Sequence, residues 1–228
     1  MSIAENVARI RAEMEKAALA CGRDPKSIQL CAATKMNDAD AVRQAIAAGV
    51  DCCGENKVQE LTQKLAENAY EGAPVHFIGH LQTNKVKYIA PFVSLIESLD
   101  SERLAEEINR QAEKCGRRID CLLEIHVTAE ESKSGWDYAE LLAFVRSGGF
   151  AAMPHIRLRG VMGMATFTDD EATVRGDFKR LNECFTELKE YFGAEFDTLS
   201  MGMSDSYRVA IEEGSTLVRV GRKLFNKR

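Results

Sequence analysis

Residues 27–35 read SIQLCAATK, a run of small and apolar side chains (Ile28, Leu30, Cys31, Ala32, Ala33) that ends in Thr34 and Lys35. Asn37, Asp38 and Asp40 then open a helical segment. An apolar run of this length bounded by polar residues is a buried strand that delivers an amine to the end of a sheet. In a parallel α/β fold the carboxyl ends of strands are where chemistry is placed, and a partly desolvated lysine there can be a nucleophile. The competing reading is a rim lysine reaching into water, because lysine is seldom buried without a partner. The rest of the chain decides between them.

Outward from this stretch the pattern repeats. Before it, Ser2 and Glu5 form a capping box, and Ile3, Val7, Ile10, Met14 and Ala17 recur at helical spacing up to Gly22. After it come strands expected at 50–54, 75–79, 92–97, 119–127, 156–164, 198–201 and 216–220. Helical stretches alternate with them. One is expected to start from a Thr168 to Glu171 capping box, and another to run over 204–213 until Gly214 stops it. Eight strand and helix units with short connections predict a closed (β/α)8 TIM barrel, class α/β, with an extra N-terminal helix. No linker or composition shift divides residues 1–228, so one domain is expected. A doubly wound open sheet is the alternative, but the first strand ends in Thr-Lys-Met-Asn, without a GxGxxG fingerprint.

Composition narrows the function classes. The 228 residues carry 30 basic and 35 acidic side chains, a net charge of −5 with both signs interspersed, which disfavours nucleic acid as a partner. Seven cysteines without a CxxC pair read as reduced, mostly buried thiols. His76, His80, His126 and His155 show no metal-ligand spacing, so no metal is expected. The charged N-terminus holds no signal-type apolar core and no stretch is long enough to span a membrane, so a cytoplasmic protein is expected.

In a barrel the polar residues at strand ends share one rim: Lys35, Asn56, His80, Ser98, His126, the 201–204 turn, and Arg219 with Gly221. Barrels often bind phosphate with the loops after strands seven and eight. Ser200-Met201-Gly202-Met203-Ser204 offers hydroxyls and free amides, and Val220-Gly221-Arg222 a second set, so together they resemble an anion cradle. Taken singly, a serine before a helix is an N-cap and a glycine after a strand a turn. Arg219 interrupts Leu217, Val218 and Val220; if it points inward it needs a partner, either a ligand acceptor or a core carboxylate. A lysine, a phosphate cradle and an inward arginine suggest pyridoxal 5′-phosphate. Its aldehyde would meet Lys35, its phosphate Ser204 and the Gly221 and Arg222 amides. An arginine against the ring nitrogen would leave it unprotonated and a weaker electron sink.

The chain also resembles the pyridoxal phosphate homeostasis family, related in fold to the N-terminal barrel of alanine racemase. Gly54-Glu55-Asn56 with Val58-Gln59-Glu60 carry the resemblance, as do HFIGHLQTNK at 76–85, EESKSG at 130–135, LSMGMSD at 199–205 and VRVGR at 218–222. It implies that Lys35 is the imine-forming lysine and that Ser204 and the Gly221 region contact phosphate. Arg219 would face the pyridine nitrogen and Asn56 would lie beside the ring, so the cofactor-binding set is Lys35, Asn56, Met201, Ser204, Arg219, Gly221 and Arg222. Thr34 stands where the family usually has serine, and Asn226 where glycine is more usual.

A racemase needs acid/base groups on both faces of the imine, commonly the lysine and a tyrosine from another domain. The sequence stops at Arg228, soon after the eighth unit, and no such domain is expected. No tyrosine is obviously aimed at the ring; His80 and His126 are candidate second bases or satisfied rim histidines. The resemblance likewise implies a carrier that hands the vitamin B6 cofactor to apo enzymes and keeps its free aldehyde low, and no catalytic residue is expected. An amino-acid racemase is the alternative, and a barrel acting only through protein partners a third reading. Lys133, in the loop after strand five, is either a secondary site for the aldehyde or a solvated charge.

Overall fold

Alternation along each strand sorts side chains onto two faces. In the computed structural model of the chain, which describes residues 1–128 and 134–226, eight such strands close on themselves. In chain order the elements are α1 (Ile3–Ala20), β1 (Gln29–Ala33), α2 (Ala39–Ala47), β2 (Cys52–Glu55), α3 (Val58–Ala66), β3 (Val75–Phe77), α4 (Val86–Ile89) and β4 (Leu95–Leu99). There follow α5 (Glu102–Lys114), β5 (Ile119–Glu124), α6 (Tyr138–Arg146), β6 (Ile156–Met162), α7 (Glu171–Phe192), β7 (Thr198–Ser200), α8 (Tyr207–Glu212), β8 (Leu217–Val220) and α9 (Arg222–Phe225). The strands pair in parallel in sequence order, and β8 returns to β1 with Cys31 opposite Arg219 and Ala32 opposite Val220. This is the expected (β/α)8 barrel, and all carboxyl ends of the strands face one rim.

Outward-facing strand residues meet the helices. Leu30 and Ala32 of β1 and Val218 and Val220 of β8 pack with Val7, Ile10 and Met14 of α1. That contact explains why the extra helix is needed: without it the β1–β8 seam would face water. The Ser2–Glu5 capping box is present, with the Glu5 amide donating to Ser2 Oγ at 3.2 Å and the Ser2 amide to Glu5 Oε2 at 2.7 Å. Buried Asn6 donates through Nδ2 to the Leu224 carbonyl at 2.9 Å and to Asn226 Oδ1 at 2.8 Å, tying α1 to α9. Asn226 has φ +55, a conformation that asparagine tolerates better than most residues and that glycine adopts freely. Among the described residues no helix is long and apolar enough to cross a membrane.

Several boundaries differ from expectation. The N-cap of α7 is Asp170, which accepts from the Ala172 and Thr173 amides, while Thr168 Oγ1 accepts from the Asp170 amide. A carboxylate beside two free amides displaced the expected Thr168 capping box. Helix α8 starts at Tyr207, three residues later than expected from Ser204, because the Ser206 hydroxyl accepts from the Met203 amide and holds 203–206 as a turn. Strand β4 extends to Leu99, so Ser98 is fully buried within it and does not belong to the rim.

Replacing Ile10 with Ala should therefore cost about 2–5 kcal/mol in urea unfolding, since it leaves a cavity under the seam. A loss below about 1 kcal/mol would mean that α1 does not close the barrel.

Candidate functional site

Lys35 lies two residues past the end of β1, exposed at the rim. Its backbone is held on both sides. Thr34 is fully buried, and its carbonyl accepts from Lys64 Nζ at 2.8 Å and from the Asn37 amide at 3.1 Å. Met36, at φ +61, donates its amide to Glu60 Oε2 at 2.9 Å. Lys64 reaches in from α3, itself only 4% exposed, and pairs with the fully buried Glu55 at the end of β2. The Thr34 hydroxyl donates to the same Glu55 Oε1 at 2.7 Å. Burial raises the Glu55 carboxyl above its ordinary range even though Lys64 and Thr34 oppose this. Among the described residues the Lys35 side chain has no hydrogen-bond or ion-pair partner, while the peptide beneath it is fixed by a buried ion pair.

The loops after β7 and β8 sit beside this rim position. Gly202 has φ +95, and a Cβ there would lie 2.5 Å from Ala210 Cβ, so the turn closes on α8 only with glycine. It carries Ser204, which is 5% exposed and accepts from the Lys223 amide at 3.4 Å. Gly221 begins the turn after β8 at close quarters with β1, since a Cβ there would lie 3.1 Å from the Ala33 carbonyl oxygen. Among the described residues the amides of Ser204, Gly221 and Arg222 have no hydrogen-bond partner. Arg222 is exposed and pairs with Asp205. Unpartnered amides, a hydroxyl and a guanidinium next to a lysine form a donor set suited to a phosphate monoester bearing an aldehyde.

Arg219 faces the barrel interior and is 5% exposed. Its expected need for a partner is met by a core carboxylate: Nη1 lies 3.4 Å from Glu97 Oε2 and also donates to Ser200 Oγ, and Nη2 donates to the Gly163 carbonyl at 3.3 Å. Glu97, on β4 and fully buried, also accepts from Ser200 Oγ at 2.6 Å and bonds His76 Nδ1 at 2.8 Å. Burial pushes the Glu97 carboxyl up, but the His76 hydrogen bond and the Arg219 charge outweigh it and hold it below the ordinary range. Burial pulls His76 down, but Glu97 outweighs this and raises it.

Of the other expected contacts, Asn56 is half-buried directly after β2, and its backbone presses on Gly79. Met201, also in the expected set, has no exposed surface, and its side chain packs in the main core cluster. The reason is strand alternation, which turns Ser200 inward and its neighbours outward. His80 is exposed and bonds Asp100 Oδ2 at 3.1 Å; His126 Nε2 bonds the Thr128 carbonyl at 2.7 Å. The hydroxyls of Tyr138 and Tyr207 donate to Glu187 at 2.7 Å and Glu13 at 2.5 Å, and the Tyr191 hydroxyl accepts from Arg146, all among the outer helices. Lys133 lies outside the described residues. Sequence reasoning missed Lys64, Glu97 and Glu124. Glu124 ends β5 nearly fully buried, accepts from Ser134 Oγ at 2.8 Å, has no partner for Oε2 among the described residues, and is raised by burial. A charged residue inside an apolar run was the available signal for Glu97 and Glu124; Lys64 carried none.

The family model described as alanine racemase, N-terminal domain, matches residues 2–227. A pyridoxal phosphate homeostasis protein of Pseudomonas aeruginosa is 39% identical over 227 residues, covering 100% of this chain and 96% of that one. The structure of PipY of Synechococcus elongatus with pyridoxal phosphate bound superposes with a TM-score of 0.85 at 32% identity, covering 98% of this chain and 100% of that one. Alanine racemase from Streptomyces lavendulae shares the fold with a TM-score of 0.76 at 15% identity, over 97% of this chain and 56% of the racemase.

Removing Lys64 strands Glu55, so Lys64→Met should cost about 3–5 kcal/mol in urea unfolding and raise amide exchange in the 34–37 turn about tenfold. Adding Glu55→Gln should restore most of the stability; no recovery would mean that the pair is not what holds the turn. His76, raised in the fold, stabilises fully below its unfolded value of about 6.5 and loses that contribution as pH climbs through the folded value. Glu97, lowered in the fold, stabilises above about 4.3 and loses its contribution only in acid. With chelator present, the wild-type Tm should fall from about pH 6 to 9 more steeply than that of His76→Gln, and parallel curves would refute a charged His76.

Proposed function

Because the chain belongs to the pyridoxal phosphate homeostasis protein family, we propose that it binds pyridoxal 5′-phosphate at the carboxyl rim of the barrel as a reversible imine on Lys35. In this reading it serves the supply of that cofactor within the cell and does not turn over amino acids. The observation that carries the proposal is the exposed Lys35 at the end of β1 and the Ser204, Gly221 and Arg222 amides, unpartnered among the described residues, after the adjoining β7 and β8. The bound pyridoxal phosphate of PipY supports it.

Lys35 Nζ attacks the aldehyde carbon, and loss of one water leaves a C=N bond that water or another amine can reopen. When bound, the group supplies an electrophilic carbon and an aromatic ring able to take up charge. The Ser204 hydroxyl and the three amides donate to the phosphate oxygens, and exposed Arg222 adds charge at the same edge. Arg219 has donors only, so turned to the ring nitrogen it keeps that nitrogen unprotonated and limits its pull on electrons. Glu97 and Ser200 fix its guanidinium in the barrel interior, which supports this reading. Asn56 lines the ring edge from the end of β2. An exposed anchor at the rim suits release to apo enzymes, which can approach without the barrel opening.

A catalytic reading has one observation in its favour: Glu124, with an oxygen unpartnered among the described residues and a raised carboxyl, is an interior acid at the end of β5. As a racemase the protein would exchange the α-proton of amino acids in deuterium oxide well above the rate of free cofactor. As a carrier it would not.

Borohydride reduction of the loaded protein should give one adduct, mapped to Lys35. Lys35→Ala should lose it entirely with an unchanged Tm, because the side chain is exposed. An adduct retained on Lys133 or another lysine would overturn the assignment.

A further inference from the structure

Outside the rim, three soft or borderline ligand groups meet inside the barrel on consecutive strands. Cys31 lies mid-way along β1 and stands opposite Cys52, the first residue of β2. His76 of β3 pairs in register with Gly54, two residues along from Cys52. Gly54 makes room for this meeting: a Cβ there would come within 2.9 Å of Cys31 Sγ. The two sulfurs and a His76 ring nitrogen all lie within 4.8 Å of one another, and Cys52 Sγ is 3.6 Å from His76 Nδ1. All three residues are buried, at 0%, 2% and 7% exposure.

We propose that Cys31, Cys52 and His76 form a three-ligand Zn2+ site. Donors at these separations place a central ion roughly 2–3 Å from each, the range of Zn–S bonds near 2.3 Å and Zn–N bonds near 2.0–2.1 Å. Glu97 Oε1 is 2.8 Å from His76 Nδ1 while its Oε2 keeps Ser200 and Arg219, so the carboxylate orients the ring that offers the ligand nitrogen. Charge also balances. Two thiolates neutralise Zn2+, and Glu97 keeps its pairing with Arg219. Binding takes up Zn2+ and releases the two thiol protons, with a third where His76 is protonated, so affinity rises with pH.

The site is independent of the cofactor reading and is tested without cofactor. The full chain with exposed Cys21 and Cys115 changed to Ser is titrated with Co2+ as a spectroscopic stand-in for Zn2+. A near-ultraviolet thiolate-to-cobalt band saturating at one equivalent, and displaced by Zn2+, is expected. Cys31→Ser and Cys52→Ser should each lower the affinity at least about a hundredfold in competition with a chromophoric chelator. Absence of the band, or an affinity unchanged by both substitutions, would overturn the proposal. Because either variant could fold poorly, crystals of the unaltered chain grown with Zn2+ give a second test at the zinc absorption edge. An anomalous peak among Cys31, Cys52 and His76 is expected, and a peak only at surface groups would overturn it.

Discussion

A carboxylate sits where water cannot reach it, and the barrel is arranged around that fact. Glu97 on β4 is fully buried, and an uncompensated charge there would cost several kcal/mol. Its compensation comes from His76 on β3, Ser200 on β7 and Arg219 on β8, so one side chain ties together strands on opposite sides of the barrel. The same bonds fix the Arg219 guanidinium inside the barrel. A long, flexible cation becomes a fixed donor because its counter-charge cannot move.

The rim repeats this logic with a second pair. Lys35 is exposed and its side chain has no hydrogen-bond or ion-pair partner among the described residues, yet the chain on either side of it is pinned by Lys64, Glu55 and Glu60. Burying a charged pair adds little to net stability. What it does here is set the position of the peptide that presents the amine, so that an exposed side chain is placed by electrostatics beneath it. The glycines at 202 and 221 play the matching part on the other side, letting the β7 and β8 loops close on α8 and on the end of β1.

These two devices bear on carriage against catalysis. Groups able to shuttle protons are mostly engaged elsewhere: His80 with Asp100 at the rim, and Tyr138, Tyr191 and Tyr207 among the outer helices. The fixed cation faces inward, the amine faces out, and the donors between them are backbone amides. Such a set suits the proposed carriage of a phosphate-bearing aldehyde.

Eight strand and helix units, the capped first helix and the rim position of Lys35 could be read from residue order. They rest on periodicity and capping, which act over a few residues. The 199–205 and 218–222 turns were legible for the same reason, though alternation sent Met201 into the core. Arg219 could be seen to need a partner, but residue order left open whether that was a ligand or a carboxylate. Only barrel closure chose Glu97, across 122 positions of sequence. Closure likewise brought Lys64 under Thr34 and gathered Cys31, Cys52 and His76 from three strands, where spacing had shown no ligand set. The partner of a buried charge or thiol is set by which strands meet in space, and no local pattern encodes that.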